Sequence, residues 1–266
     1  MSMDDKDRTN DDGKFPLKKT IVIVLVVLLV IFLGVFAVKK VRDYKAKELL
    51  DGLTTETTTE MTTEGLPDNP VDFEKVRAEN DEIYAWISVP NTGIDLPILR
   101  SRTDDLYYIN KDIHGKYSRL GSIFTQSHNS LDFLDPVTVI YGHNYSLGKD
   151  KGTMFTNLHY FENKEFFEEN KYFYIYTPGR ILTYYIVSAY KYDERHILNS
   201  FDFSDEEVLK KYQEYVLDPV SLLKNVRKDA TINIDDKLVV LSTCLTNGYS
   251  GRYLVNGVLI KDEQTK

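Results

Sequence analysis

Hydrophobic residues are concentrated most strongly near the N-terminus, where the stretch 20–38 contains no charged side chain. As a helix, at about 1.5 Å per residue, this stretch reaches roughly 28 Å, close to the hydrocarbon thickness of a bilayer. A secretory signal peptide is the alternative. However, the stretch is longer than the apolar core of such a peptide, and no small-x-small cleavage pattern follows it. We therefore predict a short tail over residues 1–19 and a transmembrane anchor over residues 20–38.

The charges next to this stretch leave its orientation open. The positive-inside rule compares the basic residues near the two ends of a membrane helix. The two groups are equal in size: Lys6, Arg8, Lys14, Lys18 and Lys19 before the stretch, and Lys39, Lys40, Arg42, Lys45 and Lys47 after it.

A polar segment separates this anchor from the rest of the chain. Residues 51–70 are rich in threonine and glutamate and contain few large apolar side chains. Such a segment cannot bury enough surface to offset the entropy lost on ordering, so it is typical of a tether. We predict a juxtamembrane segment and Thr/Glu-rich linker over residues 39–70. One folded domain with a sizeable core is predicted over residues 71–266.

Within this domain, the spacing of apolar residues predicts short strands interrupted by helices. A Pro-Gly turn joins residues 172–176 to residues 181–190 in a β-hairpin. The last helix opens on a capping box of Ser204 and Glu207. Further strands are predicted over residues 85–89, 121–125, 137–141, 236–242 and 252–260, and helices over residues 73–80, 154–170 and 204–216. Many short strands bounded by turns favour a mainly β barrel or sandwich with helices packed outside it.

The composition excludes several kinds of protein. The chain of 266 residues has a formal net charge of −8 and no basic stripe interleaved with aromatic residues, so nucleic-acid binding is not expected. A single cysteine excludes an internal disulfide and a zinc site built from several thiolates. Carboxylates and histidines form no metal-binding pattern in the sequence, so we expect no metal or other cofactor.

That single cysteine, Cys244, ends one predicted strand region, and Arg252 begins the next strand. Much earlier in the chain, His143 ends the apolar run that starts at Pro136. Cysteine catalysis needs a nearby base or acid and a cationic group that stabilises the thiolate or the oxyanion. In a barrel, these three side chains can meet at one rim. The alternative is that Cys244 is a buried small hydrophobe, as most free cysteines are.

Three motifs resemble those of the sortase family, the cysteine transpeptidases of Gram-positive cell surfaces. Tyr141-Gly-His-Asn144 resembles the histidine motif of the family, Leu241-Ser-Thr-Cys244 its nucleophile motif, and Gly251-Arg-Tyr-Leu-Val255 the strand with its essential arginine. The resemblance covers nearly the whole folded domain. Residues 83–97, 121–124 and 152–155 are similar to class B in particular. The resemblance implies a sortase-type β-barrel with peripheral helices, among them an entry helix and a long helix between the late strands.

The resemblance also implies a function. Sortases are anchored in the cell membrane by a single span with the catalytic domain outside the cell, which gives the orientation that charge leaves open. They cleave a C-terminal sorting signal through a thioester and transfer the surface protein to an amine of the cell wall or to a pilin lysine. By this resemblance, Cys244 is the nucleophile, His143 the general acid and base, and Arg252 the group that stabilises the oxyanion.

Three further residues, Ser242, Thr243 and His196, are expected to contact the substrate. Ser242 lies two residues before the nucleophile in an extended run and should face the same side as the thiol. A hydroxyl buried against the backbone is the alternative. His196 occupies a position that a substrate-lining tyrosine often holds in class B. Residues 104–105 and 126–128 depart from the class pattern, so the sorting signal stays open.

Two other functions compete with this one. A cysteine L,D-transpeptidase is also a cell-wall barrel enzyme, but it has a histidine and a glycine directly before its cysteine, where this chain has Ser-Thr. A catalytically inactive sortase-like scaffold or surface binding module is the other alternative, and the complete set of three motifs argues against it. The remaining histidines, His114, His128 and His159, lie in no matching motif.

Overall fold

The computed structural model describes residues 66–146, 152–246 and 250–266. The predicted tail, the predicted anchor and the linker up to residue 65 lie outside the described residues. No helix within the three described ranges combines the length and the apolar character that a membrane crossing requires.

Strands dominate the described part of the chain. The strands are β1 (Ile83–Val89), β2 (Ile94–Leu99), β3 (Ile123–Phe124), β4 (Val137–Tyr141), β5 (Asn144–Ser146), β6 (Gly152–Met154), β7 (Tyr172–Thr177), β8 (Arg180–Tyr192), β9 (Lys224–Val226), β10 (Leu238–Cys244) and β11 (Arg252–Gln264). The α-helices are α1 (Phe73–Glu79), α2 (Lys164–Glu169), α3 (Ile197–Ser200) and α4 (Glu206–Leu217), and 3₁₀ helices lie at Tyr107–Asn110 and Thr156–Glu162.

Eight of these strands close into a barrel. Their order is β11-β10-β4-β3-β2-β1-β7-β8, and β8 pairs with β11 to complete the ring. β9 pairs with β8 outside the ring, and β5 and β6 form a separate two-stranded sheet. The pattern of strands left a barrel or a sandwich open, and the sortase resemblance implied a barrel. The mainly β barrel with peripheral helices is confirmed.

The strand that carries Cys244 is buried on both faces up to its last residue. Val239 and Leu241 pack in the cluster that fills the barrel, whereas Val240 packs in a second cluster together with side chains of α4. Burial on both faces explains why β10 reads as a continuous apolar run. By strand alternation, Ser242 and Cys244 share the outer side with Val240.

Several elements agree with their predicted bounds. β7 and β8 form the predicted hairpin, with Thr177 opposite Arg180. Gly179 in its turn has a φ of +78°, where glycine is favoured because it has no Cβ. β10 ends at Cys244 and β11 begins at Arg252, which are the bounds that the apolar runs indicated for the loop between them.

The last predicted helix is right in extent but wrong in its cap. The N-cap of α4 is Asp205, whose carboxylate accepts hydrogen bonds from two backbone N–H groups of the first turn. Ser204 instead donates to the Asp202 carboxylate at 2.6 Å. A charged carboxylate at a helix N-terminus gains from the helix dipole as well as from these bonds, which favours Asp205 as the cap.

The single helix predicted over residues 154–170 is wrong. Met154 ends β6 with a φ of +51°, and a 3₁₀ helix follows at Thr156–Glu162. Asn163 then has an extended conformation, and its side chain accepts from the backbone N–H of Phe166 at 2.9 Å. Asn163 therefore caps a second helix and interrupts the helical segment.

Candidate active site

Two parallel strands bring His143 and Cys244 to the same end of the barrel. β4 and β10 pair in parallel, with Tyr141 opposite Ser242. Each candidate residue lies two positions beyond this pair, so Cys244 at the end of β10 and His143 just after β4 lie at one edge of the sheet. In the antiparallel pair of β10 with β11, Cys244 lies opposite Arg252. The barrel therefore gathers the three candidate residues at one rim.

All three candidate catalytic residues line one cleft of about 120 Å³. Ser242, Thr243 and His196, which were expected to contact substrate, line the same cleft. The other lining residues are Leu106, Ile109, Phe124, Gln126, Tyr141 and Gly142. The cleft thus contains a thiol, two imidazoles and a guanidinium together with several apolar and aromatic side chains.

The thiol and the guanidinium are in direct contact. Nη1 of Arg252 donates to Sγ of Cys244 at 2.9 Å. Cys244 is half-buried, and it is the only cysteine in the chain. A guanidinium is always charged and presents five N–H donors, so it can stabilise negative charge on sulfur and still have donors left for a second acceptor.

His143 is held by one main-chain contact of its ring and one of its backbone. Its Nε2 lies 2.5 Å from the carbonyl oxygen of Ile109 and donates to it. Its own carbonyl accepts from the backbone N–H of Phe155 at 3.0 Å. In the neutral ring the proton is then on Nε2, and the lone pair is on Nδ1. That nitrogen can accept a proton without breaking the contact with Ile109.

The glycine between Tyr141 and His143 is required by close packing. A Cβ on Gly142 would lie 2.5 Å from Cδ1 of Ile123 and 2.7 Å from the ring of Phe155. These distances are too short for carbon atoms in contact. The absence of a side chain at Gly142 therefore lets the chain continue from β4 into His143 beneath the cleft.

His196 is held as the neutral tautomer. Its Nδ1 accepts from the backbone N–H of Asn199 at 3.2 Å, where it caps α3. Its Nε2 lies 2.7 Å from Oε1 of Gln126 and donates to it. Burial, followed by the nearby His128 and Arg252, lowers the pKa of His196 from its ordinary value. His196 therefore contributes a fixed, uncharged ring to the cleft.

Ser242 and Thr243 are both buried, and they lie on opposite sides of β10. Ser242 shares the outer side with the Cys244 thiol, as its spacing predicted. Its carbonyl oxygen accepts from the backbone N–H of Gly142 at 3.1 Å. The Thr243 hydroxyl is buried without a hydrogen-bond partner among the described residues.

The structure gives contacts with the nucleophile's backbone to two residues for which the sequence predicted no role. Nε2 of His159 and Nδ2 of Asn144 each lie 3.0 Å from the main-chain carbonyl oxygen of Cys244. Nδ1 of His159 lies 2.7 Å from Oε1 of Glu162. The sequence places His159 in no matching motif. The only local signal was a carboxylate three residues after a histidine in a helical segment.

A metal site is not found in the described ranges. No three histidine, cysteine, aspartate or glutamate residues within them are grouped so that they could hold a metal ion. The cleft itself presents a nucleophilic sulfur, an imidazole that can move a proton, and a cation that can stabilise an oxyanion.

Known proteins with similar sequences match most of this domain. The sortase domain, as a family model, matches residues 87–260. Sortase B of Listeria monocytogenes is 31% identical over 186 residues, which are 68% of this chain and 71% of that protein.

Solved structures agree with the sequence match. The Staphylococcus aureus sortase B–substrate complex aligns with a TM-score of 0.62 and 25% identity, over 73% of this chain and 87% of that chain. A Streptococcus pyogenes class B sortase involved in pilus biogenesis aligns with a TM-score of 0.59 and 28% identity, over 71% of this chain and 98% of that chain. The sortase family model covers more than half of this chain, and the relatives found are class B sortases. This chain therefore belongs to the sortase family of transpeptidases.

Proposed function

We propose that this sortase cleaves a C-terminal sorting signal through a thioester on Cys244 and transfers the acyl group to an amine. The observation that carries this proposal is the 2.9 Å contact between Nη1 of Arg252 and Sγ of Cys244, in a cleft that His143 also lines. A nucleophile, a proton carrier and an oxyanion-stabilising cation on one cleft are the groups that acyl transfer requires.

The reaction has two steps. First, the Cys244 thiolate attacks the carbonyl carbon of the scissile peptide bond, the C–N bond breaks, and the departing amine takes a proton from His143. Second, the acceptor amine attacks the thioester, the C–S bond breaks, and His143 takes the proton that the amine loses. The thioester conserves the energy of the peptide bond, so the transfer needs no nucleotide triphosphate.

Arg252 acts on both the nucleophile and the oxyanion. In the free enzyme its guanidinium donates to the sulfur. As the sulfur bonds to the substrate, negative charge moves to the carbonyl oxygen, and the other donors of the fork can follow it.

His143 exchanges its proton with the substrate through Nδ1. The contact of Nε2 with the Ile109 carbonyl supports this assignment, because it occupies the other ring nitrogen and fixes the ring. The ring must be protonated before it can supply a proton to the leaving amine.

The sorting signal binds along the same cleft. Ser242 supplies a polar contact, and Thr243 lies beneath it in β10. The neutral ring of His196 and the exposed apolar side chains of Leu106 and Ile109 pack against the peptide. The S. aureus relative was solved as a substrate complex, which supports peptide binding by this fold in general. Residues 104–105 and 126–128 differ from the class B pattern, so the sequence of the sorting signal must be determined with more than one type of peptide.

The acceptor and the location belong to the same proposal. The acceptor is an amine of the cell wall or a pilin lysine; the pilin alternative is supported by a relative involved in pilus biogenesis.

We propose that residues 20–38 anchor the protein in the membrane of a Gram-positive cell by a single span, with the catalytic domain outside. The uncharged hydrophobic stretch supports this anchor.

The test is mass spectrometry of the acyl-enzyme. Full-length protein in detergent is mixed with a panel of peptides that carry Asn-Pro-type or Leu-Pro-x-Thr-Gly-type signals. We expect a thioester adduct on Cys244 with one class of peptide and none with Cys244→Ala. Added amines, one a cell-wall peptide and one a pilin lysine peptide, then identify the acceptor by the mass of the product. Cleavage that persists in Cys244→Ala would overturn the proposal and favour a scaffold with another role.

A further inference from the structure

The main-chain carbonyl of Cys244 is bonded by side chains where a strand partner is expected. In a parallel pair the backbone bonds are evenly spaced along the two strands. The backbone N–H of Gly142 donates to the Ser242 carbonyl at 3.1 Å, so the next donor along β4 should be the N–H of residue 144. Asn144 instead begins β5 and pairs with Met154 in a separate sheet. Its side-chain amide makes the contact with the Cys244 carbonyl at 3.0 Å.

His159 is the second donor to this carbonyl and is itself firmly held. Its Nε2 lies 3.0 Å from the Cys244 oxygen, and its Nδ1 lies 2.7 Å from Oε1 of Glu162. A carbonyl only accepts, so Nε2 donates to the Cys244 oxygen. Nδ2 of Asn144 lies 3.1 Å from the same Nε2, so the two side chains are in contact beside this carbonyl. Only 13% of the His159 side chain is exposed.

The His159 ring also contacts the other strand of the site. It stacks on the ring of Tyr253, with 4.8 Å between the centroids and 26° between the planes. Tyr253 directly follows Arg252 on β11, and Cys244 ends β10. The His159 ring therefore contacts both the end of β10, which carries the thiol, and the start of β11, which carries the guanidinium. Asn144, which contacts the same Cys244 carbonyl, directly follows His143 in the chain.

We propose that His159, supported by Glu162, is a positioning residue for the transpeptidation reaction, and this inference rests on the proposed role of Cys244 as nucleophile. His159 replaces a missing ladder bond and so holds the Cys244 backbone in register with Arg252 and His143. His159 contacts Cys244 through the main-chain carbonyl and is not among the residues that line the cleft. Misplacing a reacting group by about 1 Å can cost on the order of 100-fold in rate, so a lost backbone anchor affects acylation more than substrate binding.

Two variants of His159 separate positioning from packing. His159→Phe keeps a flat ring against Tyr253 and removes both ring nitrogens. His159→Gln supplies an amide donor that can reach the Cys244 carbonyl but gives up the ring. His114→Phe is the matched control, because His114 is exposed and lies away from the cleft.

The readouts are single-turnover acylation, KM and the thermal unfolding midpoint of the full-length protein. We expect His159→Phe to lower the acylation rate about 10-fold with KM changed less than about threefold, because reactive geometry depends on this anchor. We expect His159→Gln to recover most of the rate, and His114→Phe to match the wild type.

Two results would overturn the inference. One is a His159→Phe variant that acylates at the wild-type rate. The other is an equal loss of rate in both His159 variants that follows a lowered unfolding midpoint, which is the result expected of a residue that only supports folding. Cys244→Ala is measured in parallel. If it still turns over, the proposed function itself fails, whereas an inactive Cys244→Ala beside a fully active His159→Phe removes only the positioning role.

Discussion

Replacement of Arg252 by lysine tests the electrostatic core of the site. Nη1 of Arg252 lies 2.9 Å from Sγ of Cys244, and the two residues are opposite each other in the β10–β11 pair. Arg252→Lys keeps the positive charge but replaces a planar fork of five donors by a single ammonium. One ammonium group cannot contact both the sulfur and the oxyanion. If the lysine stays near the sulfur, the oxyanion has no donor from this residue, and if it moves to the oxyanion, the sulfur loses its donor.

The size of the effect follows from the donor that is lost. Removal of one oxyanion-stabilising donor typically lowers kcat by about 100- to 1,000-fold, or about 3–4 kcal/mol. Lysine retains part of the electrostatic attraction, so we expect the acylation rate to fall about 100-fold. Because the donor is used mainly in the transition state, KM should change less than about threefold.

Arg180→Lys is the matched control for this experiment. Arg180 lies on β8 opposite Gln264, at the far end of the β8–β11 pair from Arg252, and its guanidinium forms an ion pair with Asp262. Loss of this partly exposed pair should cost less than about 1 kcal/mol of stability and leave acylation unchanged. Rates are measured by quenched single-turnover mass spectrometry. If folded Arg252→Lys acylates within threefold of the wild type, the guanidinium fork has no special role and our reasoning is refuted.

Two further predictions concern stability. Arg227 is 4% exposed and donates to three main-chain carbonyls, so Arg227→Met should lower the free energy of unfolding by about 2–4 kcal/mol in chemical denaturation. Exposed Lys228→Met is its control, and equal small losses in both variants would contradict the prediction. The lowered pKa of His196 means that the unfolded chain binds more protons than the folded chain, so stability should fall as pH drops below about 6.5. His196→Gln should reduce this loss between pH 7.5 and pH 5.5, and an unchanged loss would show that other groups cause it.

Local sequence was sufficient for the strands that carry the thiol and the guanidinium. Burial on both faces makes β10 a continuous apolar run, so its end near Cys244 is visible in consecutive residues. The hairpin of β7 and β8 is visible for a similar reason, because the φ of +78° at Gly179 requires a residue type that stands out in the chain. Hydrophobic periodicity and turn preferences depend on residues that are close together in the chain. They can therefore be recognised from the sequence alone.

Contacts between distant segments depended on the packing of the whole barrel. The parallel pairing of β4 with β10 determines that His143 and Cys244 share a rim, and nothing within either strand specifies its neighbour. The same holds for the Cys244 carbonyl, which Asn144 and His159 reach only because β4 leaves the sheet one step early. A backbone group without a strand partner is hydrogen-bonded by side chains that tertiary packing brings near it. The spacing of residues along the chain does not predict which side chains these are.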